Sequence, residues 1–248
     1  MWSDMCEILY YPRSNDEWAH HKSIGERAAQ EMLSCVGKHG HLRSGVITIN
    51  GLIAFQWGDV SERQMLPKDA KSLLISTLCA IALSEGKIPA LDERIAVSGQ
   101  DLTWRHLMGA TFARGDQAAA NAAAIALIEK LTQLFNRGLS ETVRTKINDP
   151  IGSGFEIHAS GDLGRLPNIS SSVLDLARVS LLHLRRGIWL DRRIFSPLWI
   201  DLAAAEASGL YWCRNYPGSE LGQLMQRCSP TFSTAVSTDR SAAIVAMG

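Results

Sequence analysis

No stretch of this 248-residue chain approaches the roughly 18 uninterrupted apolar residues that a membrane-spanning helix needs, so no membrane partner is expected. Charge of one sign is also missing: 25 Lys+Arg stand against 25 Asp+Glu. A binding mode led by a basic field is therefore excluded, and nucleic acid is not an expected partner. Cysteine is scarce. Cys6, Cys35, Cys79, Cys213 and Cys228 are odd in number, widely spaced and without a C-x-x-C pair, which argues against a disulfide framework or a structural zinc site. The opening MWSDMCEILYYPRSNDEW carries acids and lacks a basic-then-apolar order, so it does not read as a secretory signal, and a cytoplasmic location is expected. Repeats are lacking, and the one biased stretch is Ala118 to Ala124, interrupted by Asn121. Disorder is excluded by a 46% apolar composition at zero net charge.

Periodicity and turn chemistry define the elements that are there. An amphipathic helix is expected from Ser23 to Gly37, with Ile24, Ala28, Ala29, Met32 and Leu33 on one side. The strongest hairpin signal is Val46–Ile49, then Asn50-Gly51, then an apolar run from Leu52. Asn-Gly supplies the two positive-φ positions of a type I′ turn. Pro67 suits the first turn of a long helix reaching Leu83, and LLISTLCAIAL is apolar nearly all round, which predicts burial on most sides. Gly86 ends it, and Ile88 to Ile95 reads as a loop. Asp116 can cap a helix running to Asn136 and closed by Gly138, and Ser140 a shorter one ending before Asp149-Pro150. Further helices are expected from Ser172 to Arg186 and from Ser196-Pro197 to Gly209. The tail then shows three short strand-like runs, LYWC, FSTAV and AAIVAM.

Strands at both ends with helices between them imply an α+β fold: one antiparallel sheet formed from both chain ends, with an inserted helical lobe. The expected division is a sheet lobe of 1–65 plus 205–248 and a helical lobe of 66–204. The segment LPKDAKSLLISTLCAIALSEGKIPALDERI, followed by LTWRHLMGATFARGD, resembles the penicillin-recognising serine hydrolases, in particular class C β-lactamases, family VIII esterases and aminohexanoate-oligomer hydrolases. ANAAAIALIEKLTQLFNRGLSETVRTKINDPIG, SSSVLDLARVSLLHLRRGIWLDRRIF and LYWCRNYPG are similar to later blocks of that family. The resemblance implies a β-lactamase/transpeptidase-like fold. It also implies a chain that is short for the family, without the usual cleft wall or terminal helix, so that either the N-terminal helix alone or a further copy of the chain is expected to cover the sheet.

The resemblance does not extend to the reactive side chains. The family's Ser-x-x-Lys falls on Lys68-Asp69-Ala70-Lys71, its Tyr-x-Asn on Ala119 to Asn121, and its third element near Phe232-Ser233-Thr234, where no glycine occurs. Acyl transfer by the family route needs a hydroxyl whose proton a neighbouring base takes, and position 68 offers none. Lys68 and Lys71, spaced i, i+3, share a helix face in the first turn, where mutual repulsion, the helix dipole and burial all disfavour the charged amine. Such a lysine acts as a general base or as a Schiff-base nucleophile toward a carbonyl. One reading is thus a non-hydrolytic enzyme acting by isomerisation, cyclisation or lysis on a carbonyl-bearing small molecule. Lys68, Lys71 and Asn121 would be its catalytic residues, and Trp212, Phe232, Ser233 and Thr234 its substrate contacts. A second is a pseudoenzyme that binds a ligand or a protein partner, and a third retains ester or amide hydrolysis through another serine. Ser72 and the literal Ser84-Glu85-Gly86-Lys87 are the serine candidates. No cofactor is expected, and no metal. His20-His21 and His39-x-His41 lack a third ligand at a telling spacing. His106 reads as a packing or capping group, Trp57, Trp104 and Trp189 as core, and Arg185-Arg186 and Arg192-Arg193 as helix-end and loop charges.

Overall fold

The Asn50-Gly51 hairpin seeds the main sheet of the computed structural model, which describes residues 10–20, 42–97, 99–112, 116–158, 166–205, 213–214, 224–229, 232–237 and 242–248. Strands β1 (Ser44–Ile49) and β2 (Leu52–Trp57) flank a corner in which Asn50 and Gly51 both take positive φ, 52° and 87°. Register shifts between Ile47 and Thr48, so the hairpin carries a bulge that the alternation did not announce. Two short ladders follow in the chain: β3 (Gln64–Met65) pairs with β7 (Asn168–Ser171), which pairs with β6 (Glu156–His158). A small hairpin joins β4 (Arg94–Val97) to β5 (Gln100–Thr103), so the expected loop from Ile88 gives way to a strand at Arg94. Another, β8 (Ile188–Trp189) with β9 (Arg192–Arg193), follows the last long helix.

The C-terminal part supplies four strands rather than three: β10 (Cys213–Arg214), β11 (Leu224–Ser229), β12 (Phe232–Ser237) and β13 (Ala242–Met247). Sheet order is β10-β11-β12-β13-β1-β2, all antiparallel, so the first and last described strands lie side by side. The α+β arrangement with a sheet closed by both chain ends is therefore observed. Val46 opposes Val245 and Ile47 opposes Ile244. Period-two alternation then sends Val46, Ala243, Val245 and Met247 into the main core, and Ile47, Ile244 and Ala246 to the opposite face beside Phe55 and Trp57.

Helix α1 (Lys68–Ser84) runs through the middle of the core, with every residue from Ser72 to Ala82 buried, as its all-round apolar run predicts. Pro67 stands one position earlier than expected, as the N-cap. Helices α2 (Trp104–Phe112) and α3 (Gln117–Phe135) pack together, and α1 packs against α3. Asp116 caps α3 by accepting from the Ala118 and Ala119 N–H groups. The left-handed residue at its far end is Asn136, φ 50°, not Gly138. Gly138 instead precedes α4 (Leu139–Val143), displacing Ser140 from the cap. The helix does not stop at Asp149-Pro150. It widens into a π turn over Arg144–Asn148, just ahead of Pro150 with its missing N–H, and ends as α5 (Asp149–Ile151).

Helix α6 (Val173–Leu184) covers β13, β12 and β1. Its start is a full capping box in which Ser172 accepts from the Asp175 N–H and Asp175 accepts from the Ser172 N–H. Helix α7 (Leu198–Ala205) follows Pro197. The expected helix at 23–37 and the end of α7 at Gly209 lie outside the described residues.

Residues 10–20 form a strap over α6 and the β1–β2 hairpin. The Ile53 N–H donates to the Ala19 carbonyl at 2.8 Å, and the Tyr10 N–H to the Asn50 carbonyl at 3.1 Å. Two arginines grip it, Arg178 on α6 and Arg185 at the C-cap just past its end. Arg178 donates through Nε to the Pro12 carbonyl (3.1 Å) and through Nη1 to Asn15 and Asp175. Arg185 donates to the Tyr10 and Asn50 carbonyls. Arg185 is therefore no solvated helix-end charge: it is 7% exposed. The Arg178 Nη2 and Arg185 Nη1 groups, buried without a hydrogen-bond acceptor among the described residues, belong to guanidiniums facing the rings of Trp18 (5.5 Å) and Tyr11 (3.8 Å). The π faces take the place of the missing acceptors.

Candidate functional site

Strand β3 delivers the chain to α1. The Leu66 N–H bonds to the Ile169 carbonyl of β7 at 2.8 Å, Pro67 turns the backbone with φ −65° and ψ 164°, and Lys68 opens the helix. The first bond of the helix runs from the Lys71 N–H to the Pro67 carbonyl, 3.0 Å, and Pro67 provides no side-chain cap. Lys68 and Lys71 thus sit in the first turn, at the positive end of the helix dipole, with Asp69 between them.

Both lysines are half-buried, so neither is splayed into bulk water. Burial pushes the Lys71 ammonium below the ordinary lysine value, because the charged form loses hydration. A lysine in this condition holds a larger share of neutral, nucleophilic amine near neutral pH than a solvated one.

Asn121 is half-buried in the second turn of α3, and Ala119 is exposed in its first turn, its N–H spent on the Asp116 cap. Phe232 and Thr234 lie on β12 with no exposed surface. The Thr234 hydroxyl hydrogen-bonds with that of Ser180 on α6, 3.0 Å apart. That side chain is thereby occupied in the sheet–helix core. The backbone of Ser233 is in the same strand, and Trp212 lies outside the described residues. The sheet strand that α1 approaches is β11, which pairs with β12 through Arg227↔Thr234 and Cys228↔Ser233. Pattern reading missed β11 because LMQRCS has neither the alternation nor the β-branched content of a half-buried strand.

The serine candidates separate clearly. Ser72 is 3% exposed and belongs to the core of α1. Ser84 is exposed at the opposite end of the helix from Lys68, and Lys87 lies beyond it, over the Phe135 ring. A hydroxyl that sequence reasoning did not single out is Ser170 on β7, which meets the ring of His158 on β6. The cap beside His106 is Thr103, whose hydroxyl accepts from the His106 backbone N–H at 3.2 Å and lies 3.0 Å from the His106 ring Nδ1. Among the described residues no group of three His, Cys, Asp or Glu side chains converges on a metal-sized space. Among the same residues no helix is long and apolar enough to cross a membrane.

No family model matches the sequence, and no curated protein matches it. Solved structures do match in shape. A penicillin-binding protein homologue from Caulobacter crescentus superposes with a TM-score of 0.66 at 12% identity, over 90% of this chain and 90% of that one. A β-lactamase from Mycobacterium bovis gives 0.65 at 16% identity, covering 87% and 90%. A class C β-lactamase from Rhodobacter sphaeroides gives 0.62 at 12% identity, covering 90% and 93%. The chain therefore has the β-lactamase/penicillin-binding-protein fold. Identities this low speak for the fold alone.

Proposed function

We propose that this β-lactamase-like scaffold carries out non-hydrolytic, lysine-dependent chemistry on a carbonyl-bearing small molecule. The observation that carries the reading is the state of Lys71: half-buried in the first turn of α1, three residues from a second amine, and lowered in proton affinity by burial. In its neutral form the Lys71 Nζ lone pair removes a proton from carbon next to a carbonyl, and the resulting ammonium returns it at a neighbouring atom. That is the proton transfer of an isomerisation or a cyclisation. Lys68, on the same helix face, acts as an anchor for the developing enolate or as the nucleophile that condenses with the carbonyl. Asn121 would orient the carbonyl oxygen. The helix N-terminus favours the negative charge that develops in either route.

A reductive trapping experiment tests the proposal. Pyridoxal as the carbonyl probe, with cyanoborohydride, should leave a secondary amine on Lys68 or Lys71 in preference to Lys130 and to Lys146, which is ion-paired with Glu85. Labelling spread evenly over all lysines would remove the basis for the reading.

A further inference from the structure

The three-stranded ladder β3-β7-β6 carries a second reactive arrangement, built from different residues than the lysine site and independent of it. Ser170 lies on the middle strand, opposite Met65 on one side and Glu156 on the other. Directly paired residues project to the same face, and so does His158, two residues along from Glu156. On that face the His158 Nε2 and the Ser170 Oγ are 2.8 Å apart, while the imidazole is exposed to solvent. Met65 is 52% exposed beside them, an apolar contact open to a ligand. Arg63 braces the base of the arrangement. Its Nη2 donates to the Ser170 carbonyl at 3.3 Å and to the Gly154 carbonyl, and lies 3.3 Å from the Glu156 carboxylate.

A hydroxyl within hydrogen-bond distance of an accessible imidazole nitrogen is the geometry of an activated nucleophile. We propose that Ser170, itself 8% exposed, and the solvent-exposed His158 form a nucleophile–base pair that accepts small, unhindered carboxylic esters where the imidazole and Met65 meet solvent. In the acylation step Ser170 Oγ bonds to the ester carbonyl carbon and its proton passes to His158 Nε2. Collapse of the tetrahedral adduct breaks the bond to the alkoxy oxygen, which leaves as the alcohol with the proton from His158. Water then attacks the acyl-serine with its proton going to His158, and the carboxylic acid is released as the proton returns to Ser170. Met65 receives the apolar part of the acyl or alcohol group.

Diisopropyl fluorophosphate reports the same chemistry: a phosphorus–oxygen bond forms at Ser170, fluoride leaves, and His158 takes the hydroxyl proton. Peptide mass spectrometry of the treated wild-type chain should place one phosphoryl group on Ser170. His158→Gln should slow that labelling on the order of 100-fold, the size of general-base assistance. Hydrolysis of 4-nitrophenyl acetate should fall in parallel. An unlabelled Ser170 in the folded wild-type protein would overturn the proposal. So would a His158→Gln rate equal to that of the wild type, which would mean that the hydrogen bond only packs the ladder.

Discussion

Thr77 on α1 and His183 on α6 share a 2.8 Å hydrogen bond in a region from which water is fully excluded. The Thr77 hydroxyl also lies 2.8 Å from the Leu73 carbonyl of its own helix and donates to it. Its lone pairs thus remain to accept from the imidazole, and the contact ties the central helix to the helix that covers the sheet. Burial pushes the His183 imidazole down to about 3, so the folded ring stays neutral well below its ordinary 6.5.

That depression fixes an acid sensitivity. Unfolded, the ring takes a proton near its ordinary 6.5, whereas folded it does so only near 3. Between those values the unfolded chain binds one proton more, so stability falls as pH falls, with a slope of up to about 1.4 kcal/mol per pH unit from this residue. The contribution is fully present above pH 6.5 and lost progressively toward 3. Urea titrations between pH 7 and 4 should show the decline, and His183→Gln should remove most of it. An unchanged slope in the variant would assign the decline to other groups.

Asp175 should be the most expensive carboxylate to remove. Its oxygens accept from the Gly154 N–H (2.9 Å), the Ser171 and Ser172 hydroxyls (3.1 and 2.8 Å), the Ser172 N–H (3.2 Å) and Arg178 Nη1 (3.1 Å). Both members of the ion pair are buried. Asp175→Ala leaves the buried Arg178 guanidinium with only the exposed Glu17 carboxylate acting on it, which costs about 3–5 kcal/mol. Equilibrium denaturation reads this directly, and a loss under 1 kcal/mol would show that solvent reaches the pair.

Much of this was legible in the sequence, and the failures share causes. The Asn50-Gly51 corner, the Asp116 cap, the all-round burial of α1 and the Ser172 to Arg186 helix are written in local chemistry, and each stands as expected. The small ladders were hidden because β3 and β6 are two and three residues long, too short to show a period. Arg185 read as a surface charge because its partners, Tyr10 and Asn50, are far away in sequence. At the site, the lysine pair was visible as a spacing. The Ser170–His158 contact was not, since it depends on the pairing of β6 with β7.

Cys79 should resist modification in the native chain. It lies in the middle of α1 with no exposed surface, and burial raises its thiol well above the ordinary value, so the reactive thiolate is suppressed. Iodoacetamide should leave the Cys79 peptide unmodified until denaturant unfolds the protein. Alkylation at the rate of a free thiol in buffer would contradict the burial of α1.

Leu78 tests the same helix from its packing side. Fully buried, it loses transfer energy and leaves a cavity when cut to alanine, a cost of about 2–5 kcal/mol. The denaturation midpoint of Leu78→Ala should fall accordingly, with the denaturant slope unchanged.

The lysine reading stands or falls on the protonation of Lys71. The direct measurement is the rate at which trinitrobenzenesulfonate modifies each lysine, followed peptide by peptide from pH 7 to 11. Lys71 should gain reactivity at a pH below the ordinary lysine value of 10.5, and Lys71→Arg should abolish that early phase alone. Modification of Lys71 only around 10.5 would contradict the account.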